Sequence, residues 1–285
     1  MNISGTTKVI GIIGFPVGHS LSPVIQNYFM REHSINGVYI PLPVKTENLK
    51  SALGGLSSLG IKGANLTVPH KSDALLLLDK IDTIAKKIGA VNTVRVTSNN
   101  KLEGTNTDSA GFLTGLLKHS PKEWNLSNKP AVVLGAGGAA RAVIYALTQM
   151  GPAEIRIVNR SFDRADRLAR DLGPSCKAYK WEDRDIILKK AALLVNTTKC
   201  GMIDEPELNI DLSILPTSAV VNDIVYNPLY TALLRKAQCR GNVIIDGIEM
   251  LLNQAGHAFK YWFGINPEVT DDLRKTVRHL LLTGH

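Results

Sequence analysis

Short apolar, β-branched runs alternate with amphipathic stretches along the whole chain, and this alternation predicts an α/β protein. Lys8–Gly14 reads as a strand. Pro23–His33 reads as a helix with Ser22 as N-cap and proline at the first helical position. Gly37–Pro43 and Lys62–Thr67 read as strands flanking a helix at Thr46–Leu59, and a helical stretch follows from about Lys71. Val91–Val96 and Leu102–Thr107 form a hairpin around Ser98-Asn99-Asn100-Lys101, with a helix at Asp108–Leu117 after it. The polar segment Ser120–Lys129 reads as a linker. A second series then runs through strand Ala131–Leu134, helix Ala139–Met150, strand Glu154–Val158 and helix Phe162–Asp171. Strands Cys176–Tyr179, Leu193–Asn196 and Ala219–Asp223, helix Leu229–Gln238 and strand Asn242–Ile245 complete it. Two helices close the chain: Ile248–Trp262, with an apolar stripe at Leu251, Ala255, Phe259 and Trp262, and Asp271–Leu282. This order predicts mostly parallel sheets covered on both faces.

Composition narrows the class. The 285 residues suit about two domains of roughly 150 residues each. Hydrophobic residues make up 44% and charged residues 20%, an ordinary globular balance. No run approaches the roughly 18 apolar residues of a membrane helix, and Met1-Asn2-Ile3-Ser4-Gly5 lacks the basic and apolar regions of a secretory signal. Cys176, Cys200 and Cys239 stand far apart, which predicts reduced thiols in a cytoplasmic protein. No histidine pair has metal-ligand spacing, so no metal is expected. The net charge of +8 is scattered, and with only six Phe and three Trp a nucleic-acid surface is not indicated. An anionic small molecule explains the charge more economically, although a merely solvated basic surface would look the same.

The clearest motif is Ala131-Val132-Val133-Leu134-Gly135-Ala136-Gly137-Gly138-Ala139-Ala140, an apolar strand running through GxGxxA into a helix. Gly135 permits a tight turn, Gly137 lets the backbone approach a pyrophosphate, and the helix N-terminus offers free N–H groups to the anion. The next strand ends in Asn159-Arg160-Ser161, with Arg164 one turn on, where an NAD site would carry a carboxylate for the ribose. Arg160 and Arg164 suit a 2′-phosphate, so NADP is the expected cofactor. Two solvated arginines at a helix start are the alternative.

Three polar clusters lie at loop positions in the first half: Gly18-His19-Ser20-Leu21-Ser22-Pro23, Asn65-Leu66-Thr67-Val68-Pro69-His70-Lys71, and Gly89-Ala90-Val91-Asn92-Thr93 with Gly104-Thr105-Asn106-Thr107-Asp108. With the glycine loop, Asn159-Arg160-Ser161, Asn196-Thr197-Thr198, Gly201-Met202 and Asp223-Ile224-Val225-Tyr226-Asn227-Pro228, this series resembles the shikimate dehydrogenase family nearly end to end.

The resemblance implies a two-domain protein, with residues 1–115 and 247–285 binding substrate, 116–246 forming a Rossmann-type NADP domain, and the site in the cleft between them. It implies that Ser20, Ser22 and Tyr226 hold the shikimate carboxylate, and that Asn65, Thr67, Asn92, Asp108 and Gln254 hold ring hydroxyls. Lys71 would be the acid–base group with Asp108 as partner. Gly135, Ala136, Gly137, Gly138 and Ala139 would bind the pyrophosphate, with Asn159, Arg160, Ser161 and Arg164 around the 2′-phosphate. Thr198, Met202, Ile224 and Gly247 would line the nicotinamide end. The implied reaction is reversible reduction of 3-dehydroshikimate by NADPH, in aromatic amino-acid biosynthesis, by a monomer or homodimer.

Several of these residues have plainer readings. Ser22 suits an N-cap, whereas Ser20 has no local bond to make. Asp108 could cap the helix at Ser109, Gln254 could be solvated, Met202 could fill core and Tyr226 could be an ordinary half-buried tyrosine. One departure stands out: Lys199-Cys200 follows Thr198, where the family commonly has proline. The quinate/shikimate branch often carries lysine there, which leaves quinate and NAD open as alternatives, beside a non-catalytic NADP-binding regulator.

Overall fold

The computed structural model describes residues 3–283; Met1 and Asn2, part of the segment read for a secretory signal, lie outside them. The fold is α/β and contains two six-stranded sheets. Two compact units divide the chain. One holds residues up to Asp108 together with Gln254–Val277, and the other holds Ser109–Asn253 and the stretch from Arg278.

The first unit contains β1 (Lys8–Gly14), α1 (Ser22–Glu32), β2 (Gly37–Pro43), α2 (Leu49–Ser58), β3 (Gly63–Leu66), β4 (Lys80–Ile81), α3 (Thr83–Ile88), β5 (Thr93–Val96) and β6 (Leu102–Thr105). Its strand order is β2-β1-β3-β5-β6-β4. β1 pairs parallel with β2 and β3, and β5 runs antiparallel to both β3 and β6. The hairpin forms as expected, with Asn100 at φ 57° in its turn. The helical stretch expected from Lys71 does not form. A 3-10 turn at Asp73–Leu76 gives way to β4 and then to α3. The apolar run Leu75–Leu78 has no period that would separate these short pieces. α3 is cut short by its caps: Asp82 Oδ1 accepts from Ala85 N at 2.7 Å, and Gly89 stands at φ 72°. Ile13, Leu49, Leu53, Leu56, Leu66 and Val94 form part of the core.

The second unit contains most of α4 (Asp108–His119), then β7 (Pro130–Leu134), α5 (Gly138–Thr148), β8 (Glu154–Val158), α6 (Phe162–Leu172), β9 (Cys176–Tyr179), β10 (Leu193–Asn196), β11 (Val220–Asp223), α7 (Ala232–Cys239) and β12 (Val243–Ile245). The strand order β12-β11-β10-β7-β8-β9 is wholly parallel and matches the dinucleotide-binding arrangement. β7 is buried on both sides: Ala131 and Val133 enter one core cluster, Val132 and Leu134 the other. A two-sided strand of this kind reads as an unbroken apolar run. α8 (Gly247–Phe263) and α9 (Asp271–Thr283) follow. The stripe expected on α8 is only part of its buried surface, which also takes in Leu252, Asn253, Gln254 and Ala258.

Candidate active site

In the first unit the chain after β3 turns back on itself. Thr67 N donates to Ile13 O at 2.9 Å and His70 N to Thr67 O at 2.9 Å. The buried His70 ring donates from Nε2 to Val44 O at 2.7 Å. Val91 N donates to Lys71 O at 2.8 Å, which ties the backbone of Lys71 to the start of the next segment. Its ammonium reaches Asp108 Oδ2 at 2.5 Å, with the lysine side chain 19% exposed and the aspartate 6%. Asp108 opens α4 and is oriented by Asn106 Oδ1, which accepts from its N–H at 3.0 Å.

Asn92 locks this pair in place. Its Nδ2 donates to Asp108 Oδ1 at 2.8 Å and to Thr107 Oγ1 at 3.0 Å, while its Oδ1 accepts from Thr107 N at 2.8 Å and Thr93 Oγ1 at 2.9 Å. Both donors and both lone pairs of the amide are thereby used inside the chain. Asn65 has nearly as many internal bonds: Nδ2 donates to Asn92 O and Thr93 Oγ1, both at 3.0 Å, and Oδ1 accepts from Tyr39 Oη at 2.7 Å. One acceptor position remains. Thr67 is half-buried, and its hydroxyl has no partner among the described residues. Gln254 is buried at 8% exposure rather than solvated.

The two serines exchange the local roles expected of them. Leu21, not Ser22, is the N-cap residue, and Ser22 is the buried first residue of α1. Ser20 does make a local bond, because its Oγ accepts from Ser22 N at 3.2 Å. The proline at the second helical position shifts the start back by one residue. An oxygen two positions before a free N–H is well placed to receive it. The Ser20 hydroxyl proton stays available to a ligand.

In the second unit the glycine loop divides its labour. Gly135 sits at φ +112°, donates to Val158 O at 2.7 Å, and a Cβ there would stand 2.5 Å from Thr197 Oγ1. Gly137 is different: a Cβ would meet nothing within 4 Å. Nothing in the chain requires a glycine at this helix start, whereas a phosphate group lying on the backbone would. Gly137 is the N-cap of α5 and caps it with no side chain, so the N–H groups of Gly138 and Ala139 have no intrahelical acceptor. At the end of β8, Asn159 Nδ2 donates to Ser161 O at 3.0 Å. Arg160 and Arg164 are exposed, and neither forms an ion pair among the described residues.

The loop after β10 is shaped by Thr198. Its Oγ1 donates to Asn196 Oδ1 at 2.7 Å and accepts from Cys200 N at 3.1 Å. Asn196 Nδ2 donates to Asp223 Oδ1 at 2.9 Å. Asp223 also accepts from Val225 N at 3.0 Å and Thr231 Oγ1 at 2.7 Å. No cation answers its charge among the described residues, and burial pushes its carboxyl up to about 6. This network fixes Ile224, whose N–H donates to Asn196 O at 3.0 Å. A Cβ on Gly247 would stand 2.4 Å from Ile224 O, so that glycine has a packing reason of its own. Met202 and Tyr226 are half-buried, and burial raises the Tyr226 phenol. Lys199 extends to solvent with its side chain 69% exposed, 4.0 Å from Glu205. Sequence reasoning misses Asn196 and Asp223 as functional residues in their own right. Their signal is a polar residue ending each of two apolar strands, where open α/β sheets place ligands.

The profile of the shikimate dehydrogenase substrate binding domain matches residues 12–94, and that of shikimate / quinate 5-dehydrogenase matches residues 117–204. A curated relative from Paramagnetospirillum magneticum, shikimate dehydrogenase (NADP(+)), is 47% identical over 96% of this chain and 99% of its own. The chain belongs to the shikimate dehydrogenase family. Among solved members, shikimate 5-dehydrogenase from Thermus thermophilus, in complex with NADP(H) and shikimate, superposes at a TM-score of 0.85, with 34% identity over 98% of this chain and 100% of that one. Quinate dehydrogenase from Corynebacterium glutamicum, in complex with NAD, gives 0.86 at 30% identity over 97% and 99%. The shikimate dehydrogenase matches enclose Ser20 to Asn92 in one segment and the glycine loop to Met202 in the other. Asp108, Ile224, Tyr226, Gly247 and Gln254 fall outside both.

Proposed function

We propose that this chain catalyses the reversible, NADP-dependent reduction of 3-dehydroshikimate to shikimate. The observation that carries the reading is the Lys71–Asp108 pair, closed off by Asn92 in a member of this family. The Lys71 ammonium has three N–H donors and spends one on Asp108, leaving two for a substrate oxygen. As the ring ketone is reduced, its oxygen gains negative charge, which the ammonium stabilises and then neutralises by giving up a proton. In the oxidative direction Lys71 takes that proton back, while Asp108 holds its Nζ in place. Asn92, with no donor or acceptor to spare, acts by aiming Asp108. Asn65 accepts from a ring hydroxyl, Thr67 and Gln254 supply further polar contacts, and Ser20 and Ser22 donate to the carboxylate.

NADPH, when bound, supplies the hydride. Gly135–Ala139 would hold its pyrophosphate, Asn159, Arg160, Ser161 and Arg164 its 2′-phosphate, and Thr198, Met202, Ile224 and Gly247 its nicotinamide end. The open space over Gly137 fits that assignment. Residues 1–115 with 247–285 serve the substrate and 116–246 the cofactor. The protein works in the cytoplasm as a monomer or homodimer, without nucleic acid or membrane; no described helix is long and apolar enough to cross a membrane.

One assay tests the reading: purified protein with shikimate or quinate, each with NADP or NAD. Turnover is expected to be highest with shikimate and NADP. Preference for quinate with NAD would move the chain to the quinate branch, and no turnover with any combination would make it a non-catalytic binder.

A further inference from the structure

Tyr39 is the third residue of β2 and looks like a core aromatic, yet it carries a hydroxyl into the interior of the first unit. Its ring packs against Trp262, with centroids 6.1 Å apart. Its backbone is clamped from α1, because Asn27 Oδ1 accepts from Tyr39 N and Asn27 Nδ2 donates to Tyr39 O, both at 2.9 Å. A buried phenol needs a hydrogen-bond partner, and any backbone carbonyl would satisfy that need. Instead the Tyr39 hydroxyl donates to Asn65 Oδ1 at 2.7 Å.

The consequence follows from counting donors and acceptors. Both N–H groups of Asn65 are taken, by Asn92 O and Thr93 Oγ1. A flipped amide would turn its oxygen toward Asn92 O and its N–H groups toward the Tyr39 proton. The Asn92 carbonyl, an acceptor only, thus fixes which way Asn65 faces, and the phenol takes one of the two lone pairs of its Oδ1.

We propose that Tyr39 is a positioning residue for substrate: its hydroxyl holds one lone pair of Asn65 Oδ1, so that the other is aimed at a ring hydroxyl as an acceptor. The inference rests on the reading of Asn65 as a substrate contact. A substrate that could only accept at this position, such as a ring ketone in place of the hydroxyl, would be refused.

The test is Tyr39→Phe in the full chain, which keeps the ring and removes the oxygen. The KM for shikimate should rise about tenfold, the effect of one hydrogen bond. The kcat should stay within about threefold and the KM for NADP should not move. Trp262→Phe is the control, loosening the same ring without touching the hydroxyl. It should lower the melting temperature and leave the shikimate KM within about twofold. A normal shikimate KM in Tyr39→Phe, or an equal rise in Trp262→Phe, would overturn the proposal. Wild-type protein without shikimate turnover fails the functional reading instead. The Tyr39→Phe crystal structure then decides, and an unmoved Asn65 side chain there would also overturn it.

Discussion

Lys71 in the first unit and Gly137 in the second show how differently two candidate site residues depend on their surroundings. Lys71 is bound into a network that would largely survive its loss, since Asn92 continues to hold Asp108 Oδ1 at 2.8 Å. Lys71→Ala should therefore fold and bind shikimate with little change, while turnover falls by about 10²-fold or more, the scale of losing a general acid. Steady-state kinetics on the folded variant checks this, and undiminished kcat would remove Lys71 from the mechanism. Gly137 has empty space where its Cβ would be, so Gly137→Ala should leave the melting temperature essentially unaltered and weaken NADP binding. Gly135→Ala should do the opposite, losing stability first, because φ +112° and Thr197 both exclude a side chain. Calorimetric titration with NADP beside thermal melting of each variant separates the two; equal stability losses would show that Gly137 answers to packing. The GxGxxA pattern gives Gly135 the turn and Gly137 the pyrophosphate, without showing what stands beside either. The difference lies in Thr197, a residue far along the chain that lies against one glycine and not the other. Tyr39 is illegible for a related reason: a tyrosine in an apolar strand looks like core until the side chain opposite its hydroxyl is known.

At the scale of elements, strands are the most legible parts. β1, β2, β8, β9 and β10 have the bounds expected, because β-branched, aromatic or other apolar residues are set off there by glycine, proline or polar neighbours. The segment after Lys71 is not legible, since β4 has two residues and α3 six, too short for either period to show. The ends of β10 and β11 carry the least expected feature, the buried Asp223. Its folded carboxyl titrates at about 6, above the ordinary value of 3.8, so between those values the folded state binds more protons than the unfolded state. Stability from this group is therefore fully present below about pH 4 and is lost as pH rises through 6. Asp223→Asn abolishes the titration, and it also turns an N–H toward Thr231 or Val225. The cost of the substitution should thus be larger at pH 4.5 than at pH 7.5, by about 2 kcal/mol. Urea unfolding of both proteins across that range measures it, and a cost independent of pH would mean that Asp223 is ionised throughout. Asp223 braces the loop after β10, which carries Thr198, and the one after β11, which carries Ile224 and Val225, so the same variant should bind NADP less well.

For the whole molecule, a net charge of +8 meets a cofactor and a substrate that are both anions. Long-range attraction of this kind accelerates encounter and weakens as salt rises, but it acts on NADP and NAD alike except at the 2′-phosphate. Discrimination must therefore come from local charge, and the end of β8 offers Arg160 and Arg164, exposed and without a carboxylate partner among the described residues. Charge-assisted hydrogen bonds contribute roughly 1.5–3 kcal/mol each, so two arginines acting on one phosphate account for about a hundredfold preference or more. Replacing both with alanine should lower kcat/KM with NADP by that factor and leave the value with NAD within about threefold, because a ribose diol offers no charge to lose. Ionic strength gives a second, independent reading of the same contact. Both cofactors should lose some efficiency as the general field is screened, and the NADP-to-NAD ratio of the wild type should also fall between about 0.05 M and 0.5 M salt. In the double variant that ratio should be small and insensitive to salt. A ratio that the substitutions leave untouched, or a wild type that favours NAD, would place discrimination elsewhere, with the exposed Lys199 after Thr198 as the next residue to exchange.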